Sequence, residues 1–173
     1  MRFVTLWWAA AALVPVLSGC APPMDWREVR AGAVVVTLPC RPSLYERKVP
    51  LAGATTALQL QACSAGGSTW ALADADLADP ALVTAALQQL NQAVADNTAG
   101  RVLRDEAWQP TGATPNPQSR RIGVEGRRPD GRPVRQHSVA FAVGTRVVQV
   151  SVVGDAPAED DVDALLASVR VTP

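Results

Sequence analysis

The sequence predicts an α+β fold, in which a mostly antiparallel sheet is flanked by one long helix and a C-terminal helix. Three observations support this class. Short segments rich in valine and leucine are separated by glycine and proline turns, as is typical of antiparallel strands. Residues 79–97 and 159–169 instead place apolar side chains at helical spacing. Runs of strands, with one helix between the runs and one after them, indicate an α+β domain.

The first predicted strand, Arg30–Leu38, contains the uninterrupted run Val34-Val35-Val36 and ends before Pro39. A continuous apolar run indicates a strand that is covered on both faces. The next three predicted strands are Tyr45–Val49, Ala57–Cys63 and Ser68–Ala75. Gly66-Gly67 is typical of a hairpin turn between the last two of these strands.

The clearest predicted helix begins at Asp79-Pro80 and runs to Asn97. The Asp79 carboxylate can cap free backbone amides, and proline suits the first helical position. The apolar stripe of this helix consists of Val83, Leu87, Leu90 and Val94. A shorter helix is predicted over residues 159–169, because acidic residues, which favour the positive end of a helix dipole, precede apolar residues at helical spacing.

Between the two helices lies a predicted strand meander. Its strands are Val102–Trp108, Ile122–Glu125, Gln136–Val143 and Val147–Val153. Residues 109–119 contain three prolines and are predicted to form a long loop. Pro129-Asp130-Gly131 and Gly144-Thr145 supply the turns, since proline fixes its own φ and glycine tolerates conformations that other residues avoid.

The N-terminal residues carry a targeting pattern. Arg2 precedes the fourteen-residue apolar run Phe3–Val16, which is too short to span a bilayer as a helix. The following residues, Leu17-Ser18-Gly19-Cys20, resemble the lipobox of bacterial lipoproteins. The resemblance implies that residues 1–19 are a cleaved signal peptide and that Cys20 becomes the lipidated, N-acylated terminus. The alternatives are an ordinary secretory signal cleaved near Ala21, or an uncleaved helix, in which Cys20 has no special role.

Lipidation at Cys20 would hold the protein close to its membrane. Residues 20–27 are a short tether, whose proline-stiffened part reaches at most roughly 20 Å, and residues 28–173 are predicted to form a single domain. The residue after the cysteine is Ala21 and not aspartate, which resembles the export-permitted pattern of enterobacterial lipoproteins. This resemblance predicts a lipid anchor in the outer membrane, with the domain on the periplasmic face.

The remaining cysteines, Cys40 and Cys63, are predicted to form a disulfide in this oxidising compartment. Their separation excludes a Cys-x-x-Cys redox motif. Two buried free thiols are the alternative. A zinc site is not expected, because the chain contains a single histidine.

Charge and motifs argue against several functions. The chain has 16 basic and 16 acidic residues, so no global field predicts nucleic-acid binding. His137 is the one candidate base of the usual kind, and its strand position favours a partly buried, hydrogen-bonded residue. Asp74, Asp76 and Asp79 lack the glycine and glutamate of a calcium loop, so they are predicted to border a strand and cap a helix. We therefore expect no catalysis, no metal and no cofactor.

The meander carries an uneven concentration of arginine. Its basic residues are Arg120, Arg121, Arg127, Arg128, Arg132, Arg135 and Arg146. They face only Glu125 and Asp130 within the meander, and arginine forks match phosphate and carboxylate groups. Arg128, Arg132 and Arg146 share one strand parity and are the candidate residues for binding an anionic partner. The alternative is a solvated hairpin that the acidic residues 155–163 partly neutralise.

The order of elements is similar to that of PsbP-like α/β/α sandwiches over residues 28–171, beginning with the strand and proline turn Val36-Thr37-Leu38-Pro39-Cys40-Arg41-Pro42. This resemblance implies a non-catalytic module that binds or assembles protein complexes. A binder of an anionic envelope component, such as lipopolysaccharide, lipid headgroups or an acidic polymer, is the alternative. A protein-binding module needs an exposed apolar patch or a free strand edge, an anion binder needs its arginines on one face, and an enzyme needs converging polar side chains.

Overall fold

The computed structural model describes residues 24–172, so the predicted signal peptide, Cys20 and the first residues of the tether lie outside the described residues. The described part forms ten strands and two α-helices. The strands are β1 (Arg27–Ala31), β2 (Val34–Leu38), β3 (Ser43–Leu51), β4 (Ala54–Ala65), β5 (Ser68–Asp76), β6 (Arg101–Ala107), β7 (Arg120–Arg127), β8 (Pro133–Val143), β9 (Arg146–Gly154) and β10 (Arg170–Val171). The helices are α1 (Val83–Asp96), which a 3₁₀ turn at Pro80–Leu82 precedes, and α2 (Glu159–Ser168).

Seven strands form one antiparallel sheet in the order β3-β4-β5-β9-β8-β7-β6. Hairpins connect β3 to β4, β4 to β5, β7 to β8 and β8 to β9, whereas α1 lies in the connection from β5 to β6. The remaining strands form a small sheet in the order β1-β2-β10. The predicted α+β class with a mostly antiparallel sheet is therefore confirmed.

Two layers cover the large sheet, one on each face. Both faces need cover because successive side chains along its strands point to opposite faces and many on each face are apolar. On one face, Ala86 and Leu87 of α1 pack against Ala140 and Ala142 of β8. On the other face, the small sheet and α2 cover a second apolar cluster. That cluster includes Val36, Leu38, Trp70, Phe141, Val150, Val152 and Leu165. Within residues 24–172, no helix combines the length and hydrophobicity needed to cross a membrane.

The prediction of one strand over Arg30–Leu38 is wrong, because the chain reverses at Gly32. This glycine has a φ of 58°, which glycine adopts without the steric cost that a Cβ brings. The result is the β1–β2 hairpin, in which Arg30 pairs with Val35. The expectation that Val34, Val35 and Val36 are covered on both faces is confirmed, since all three are fully buried.

The β3–β4 hairpin is longer than the sequence predicted. Its register runs from Ser43 opposite Ala62 to Leu51 opposite Ala54. Its turn has a left-handed backbone at Ala52 and Gly53. This hairpin forms one lateral end of the large sheet, and the candidate site lies on it.

Candidate functional site

The β3–β4 hairpin carries an apolar surface that neither helix within residues 24–172 covers. Tyr45 lies opposite Leu60, and Arg47 lies opposite Leu58, so these side chains point to the same face of the sheet. The face is the one on which α1 packs, since Leu58 contacts the apolar cluster beneath α1. A cavity of about 350 Å³ is lined by Tyr45, Arg47, Val49, Leu58 and Leu60. We call these five residues the β3–β4 apolar surface.

The position of α1 explains why this surface stays open. The helix lies over β7, β8 and β9, and it reaches the hairpin at the β3–β4 turn. There the Gln89 side chain accepts a hydrogen bond from Ala52 N at 2.9 Å and donates one to Pro50 O at 3.0 Å. The rest of the hairpin extends beside the helix, and Tyr45 is 51% exposed.

Strand β3 is also a free edge of the large sheet. It pairs on one side with β4 and has no neighbour on its other side among residues 24–172. Leu44, on the opposite face from Tyr45, is 66% exposed. Lys48 and Pro50 reduce pairing near the turn, because proline has no N–H and charged lysine disfavours an added strand. Ser43–Arg47 is therefore the part of β3 best suited to pair with another strand.

The other edge strand, β6, is less regular. All seven of its residues are exposed, including Val102 at 47% and Leu103 at 51%. The register with β7 shifts between Val102 and Arg104. Such irregularities twist an edge and disfavour the addition of a further strand. The two edges thus expose similar apolar side chains but differ in their backbone geometry.

The three candidate arginines do not meet on one surface. Arg128 and Arg132 lie at the β7–β8 turn, whereas Arg146 begins β9 at the opposite end of the sheet. Over the length of β9 the two places are roughly 25 Å apart. The sequence-based expectation of a shared face rested on strand parity, which does not record how far apart residues lie along the strands.

Each of these arginines has an acidic partner. Arg128 pairs with Asp155 at 3.0 Å, and Arg132 pairs with Asp130 at 2.8 Å. The hydrogen bond from the Arg132 backbone, together with that from its side chain, lowers the pKa of Asp130. This turn therefore presents paired charges to an incoming anion.

Arg146 pairs with two aspartates of β5, Asp74 and Asp76. Asp74 is buried, with a relative exposure of 2%. Asp76 accepts a hydrogen bond from Thr145 Oγ1, which is the main cause of its lowered pKa. Asp79 accepts from Ala81 N at 2.9 Å, which confirms its predicted role as a helix cap. No group of acidic, histidine or cysteine side chains in residues 24–172 has metal-binding geometry.

Cys40 and Cys63 form a disulfide, as predicted, with their Cα atoms 5.9 Å apart. The bond connects the segment after β2 to β4. It therefore links the small sheet to the hairpin that carries the β3–β4 apolar surface.

His137 lies on β8, on the side of the sheet that faces α2. Its side chain is 12% exposed, and its Nε2 is 3.7 Å from Glu159 Oε1. Burial is the main cause of its lowered pKa, which the negative charge of Glu159 partly offsets. The prediction of a partly buried histidine is confirmed, but the hydrogen bond predicted for it is wrong, because the buried Nδ1 has no hydrogen-bond partner among the described residues.

No model of a known protein family matches the chain, and a comparison with curated proteins also finds no match.

Proposed function

We propose that this protein is a non-catalytic envelope lipoprotein that binds a protein partner through the β3 edge and the β3–β4 apolar surface. Its anchor would be lipidated Cys20, in the outer membrane and on the periplasmic face. The proposal of the anchor rests on the lipobox-like residues Leu17-Ser18-Gly19-Cys20. The observation that supports protein binding is an exposed apolar patch beside an unpaired strand edge.

The geometry of the hairpin suits an extended segment of the partner. A strand added to Ser43–Arg47 would form main-chain hydrogen bonds with the edge, as in β-augmentation. Alternate side chains of that strand would point toward the face where Tyr45, Leu58 and Leu60 are located. We therefore expect the partner to supply an extended segment with apolar residues at every second position.

The element order also supports the proposal of a PsbP-like α/β/α sandwich. A helix covers one face of the large sheet, and the C-terminal helix covers the other face. The small sheet shares the second face with α2, so this layer is mixed and not purely helical. A PsbP-like relationship would agree with a binding or assembly role.

Binding of an anionic envelope component is the less favoured function. Arg128, Arg132 and Arg146 lie at two ends of the sheet and pair with acidic residues. A polyanion would have to compete with these pairs at separate places. A partner that binds the β3–β4 apolar surface would not have to displace such ion pairs.

Photo-crosslinking in intact cells tests the proposed function. A benzoyl-phenylalanine residue is introduced at Tyr45, and at Leu103 as the matched control on the other edge. Both positions are 51% exposed. We expect a discrete crosslinked protein from position 45 and a much weaker adduct from position 103.

A second variant, Leu60→Glu, should reduce the crosslink from position 45, because a charge on the apolar surface opposes burial against a partner. Circular dichroism of that variant shows whether the fold is retained. An absence of adduct at position 45, or equal adducts at both positions, would contradict binding through β3.

A further inference from the structure

A second concave site lies on the opposite face of the sheet, where β6, β7 and β8 lie next to the first residue of α2, Glu159. Its cavity has a volume of about 220 Å³. Gly123 forms the floor, because the register places it between Arg104 of β6 and His137 of β8. A Cβ at this position would lie 3.3 Å from Arg104 Cβ and 3.9 Å from His137 Nδ1. The missing side chain therefore leaves room between two basic residues. We call this site the His137 cavity.

Two arginines of the cavity retain free hydrogen-bonding capacity. Arg104 contacts Glu106 through Nη1 at 3.3 Å, and Arg135 contacts Glu125 through Nη2 at 3.3 Å. Each guanidinium group has five N–H donors, so each of these contacts leaves most of them available. Both side chains are close to half exposed, which keeps them accessible to a small ligand.

Charges from four elements act on His137. Arg104 of β6, Arg121 of β7 and Arg135 of β8 disfavour its protonated form, whereas Glu159 of α2 favours it. Arg121 itself pairs with Asp163 at 2.8 Å. Among the residues that line the cavity, two arginines face one carboxylate, Glu159. Glu106 and Glu125 balance the charge of these two arginines, so the affinity for an anion would come from the unused guanidinium N–H donors and not from a net positive charge.

The apolar part of the lining is Leu103, which is 51% exposed and stands at the rim. The Val124 side chain points to the other face of the sheet, where it packs with Val94 of α1. A volume near 220 Å³ admits a small molecule and excludes a folded polymer chain. The ligand should therefore combine one negative group with a short apolar body.

We propose that the His137 cavity binds a small aliphatic carboxylic acid as its anion. The carboxylate would lie between Arg104 and Arg135, since guanidinium groups bind the planar carboxylate in a bidentate manner. The alkyl chain would contact Leu103 at the rim. This site is independent of partner binding at β3, because the two surfaces lie on opposite faces and opposite lateral ends of the sheet.

The single histidine provides a direct readout. The chain, purified in neutral detergent without a polyhistidine tag, is labelled with isotopically enriched histidine. Its one imidazole signal then reports on His137. Sodium butyrate is added at constant ionic strength, with sodium chloride as the balancing salt. Since a bound anion favours the imidazolium form, we expect a saturable change and a rise in the His137 pKa of about half a unit or more.

Variants and other anions define specificity. Arg104→Gln and Arg135→Gln should each weaken the butyrate response at least about threefold, whereas Arg41→Gln, an exposed arginine between β2 and β3 that lines neither surface, should leave it unchanged. Acetate should bind more weakly than butyrate, because it lacks the longer alkyl chain that contacts Leu103. A response to inorganic phosphate as strong as that to butyrate would overturn the carboxylate assignment. A linear response, an equal response to chloride, or wild-type behaviour of both arginine variants would overturn the site itself.

Discussion

Arg146 and Arg128 are both paired arginines of the meander, but their partners differ in burial. Asp74, which pairs with Arg146, is 2% exposed, whereas the side chain of Asp155, which pairs with Arg128, is 57% exposed. Removing a cation from a buried carboxylate leaves an uncompensated charge in a poorly solvated place. Removing it from an exposed carboxylate leaves a group that water can solvate. The two arginines should therefore respond differently to the same substitution.

We predict that Arg146→Gln lowers the free energy of unfolding by about 2 kcal/mol, below the 3–5 kcal/mol typical of broken buried pairs because the arginine is partly exposed. Arg128→Gln should leave the stability nearly unchanged. Urea denaturation measures both effects.

The double variant Asp74→Asn/Arg146→Gln is the control for this prediction. It removes both charges, so it should recover part of the loss caused by Arg146→Gln alone. If Arg146→Gln and the wild type were equally stable, the buried Asp74 carboxylate would not need this arginine as a counter-charge, and the prediction would be wrong. The pair could not be predicted from the sequence, because 72 residues separate its members and no local pattern connects them.

At the scale of elements, local signals predicted the helices and most hairpins. The Asp79 cap, the alternation in β9 and the turns at Gly66-Gly67 and Gly144-Thr145 are all properties of neighbouring residues. The β1–β2 hairpin was missed because one glycine marks its turn inside an otherwise apolar run. Strand β10 was missed because two residues show no alternation, and its pairing with Val34 and Val35 depends on the tertiary fold.

The disulfide also belongs to the scale of elements, because it connects the segment after β2, a strand of the small sheet, to β4 of the large sheet. Replacing both cysteines, in Cys40→Ala/Cys63→Ala, should lower the free energy of unfolding by about 3 kcal/mol, the value expected for a closed loop of this length. Equilibrium denaturation in urea, with and without a reducing agent, measures the loss. The reductant should destabilise the wild type and leave the double variant unchanged. A double variant as stable as the oxidised wild type would contradict this prediction.

At the scale of the whole molecule, the sequence predicted the α+β class but neither the small sheet nor the candidate site. The β3–β4 apolar surface exists because α1 lies over β7–β9 and leaves the hairpin uncovered. Small residues of β8, Ala140 and Ala142, lie beneath the helix where Ala86 and Leu87 pack. The position of α1 across the sheet depends on how the helix and sheet side chains fit together. The helical periodicity of the sequence shows which face of α1 is apolar but not which strands that face packs on.

The position of Met24, the first described residue, indicates how the sheet would be oriented relative to the membrane. Met24 lies beside the β4–β5 turn, since a Cβ on Gly66 would be 2.9 Å from Met24 Cε. Met24 is four positions after Cys20, so a fully extended tether would span at most roughly 14 Å. If Cys20 is lipidated as proposed, the bilayer lies near the β4–β5 turn. The β3–β4 turn is then at the end of the sheet that faces away from the membrane.

Fluorophore quenching by nitroxide lipids tests this orientation in proteoliposomes. Thr69 and Thr55 are exposed strand residues near the two ends of the sheet, roughly 30 Å apart along the strand direction. With Cys40 and Cys63 paired and Cys20 acylated, Thr69→Cys or Thr55→Cys introduces the one reactive thiol. We expect clearly stronger quenching at position 69 than at position 55, because quenching requires proximity to the lipid. Equal or stronger quenching at position 55 would contradict the orientation. A Cys20→Ala variant that still associates with the membrane and is quenched at position 69 would instead contradict the lipid anchor. The experiment therefore distinguishes the proposed orientation from the proposed anchor.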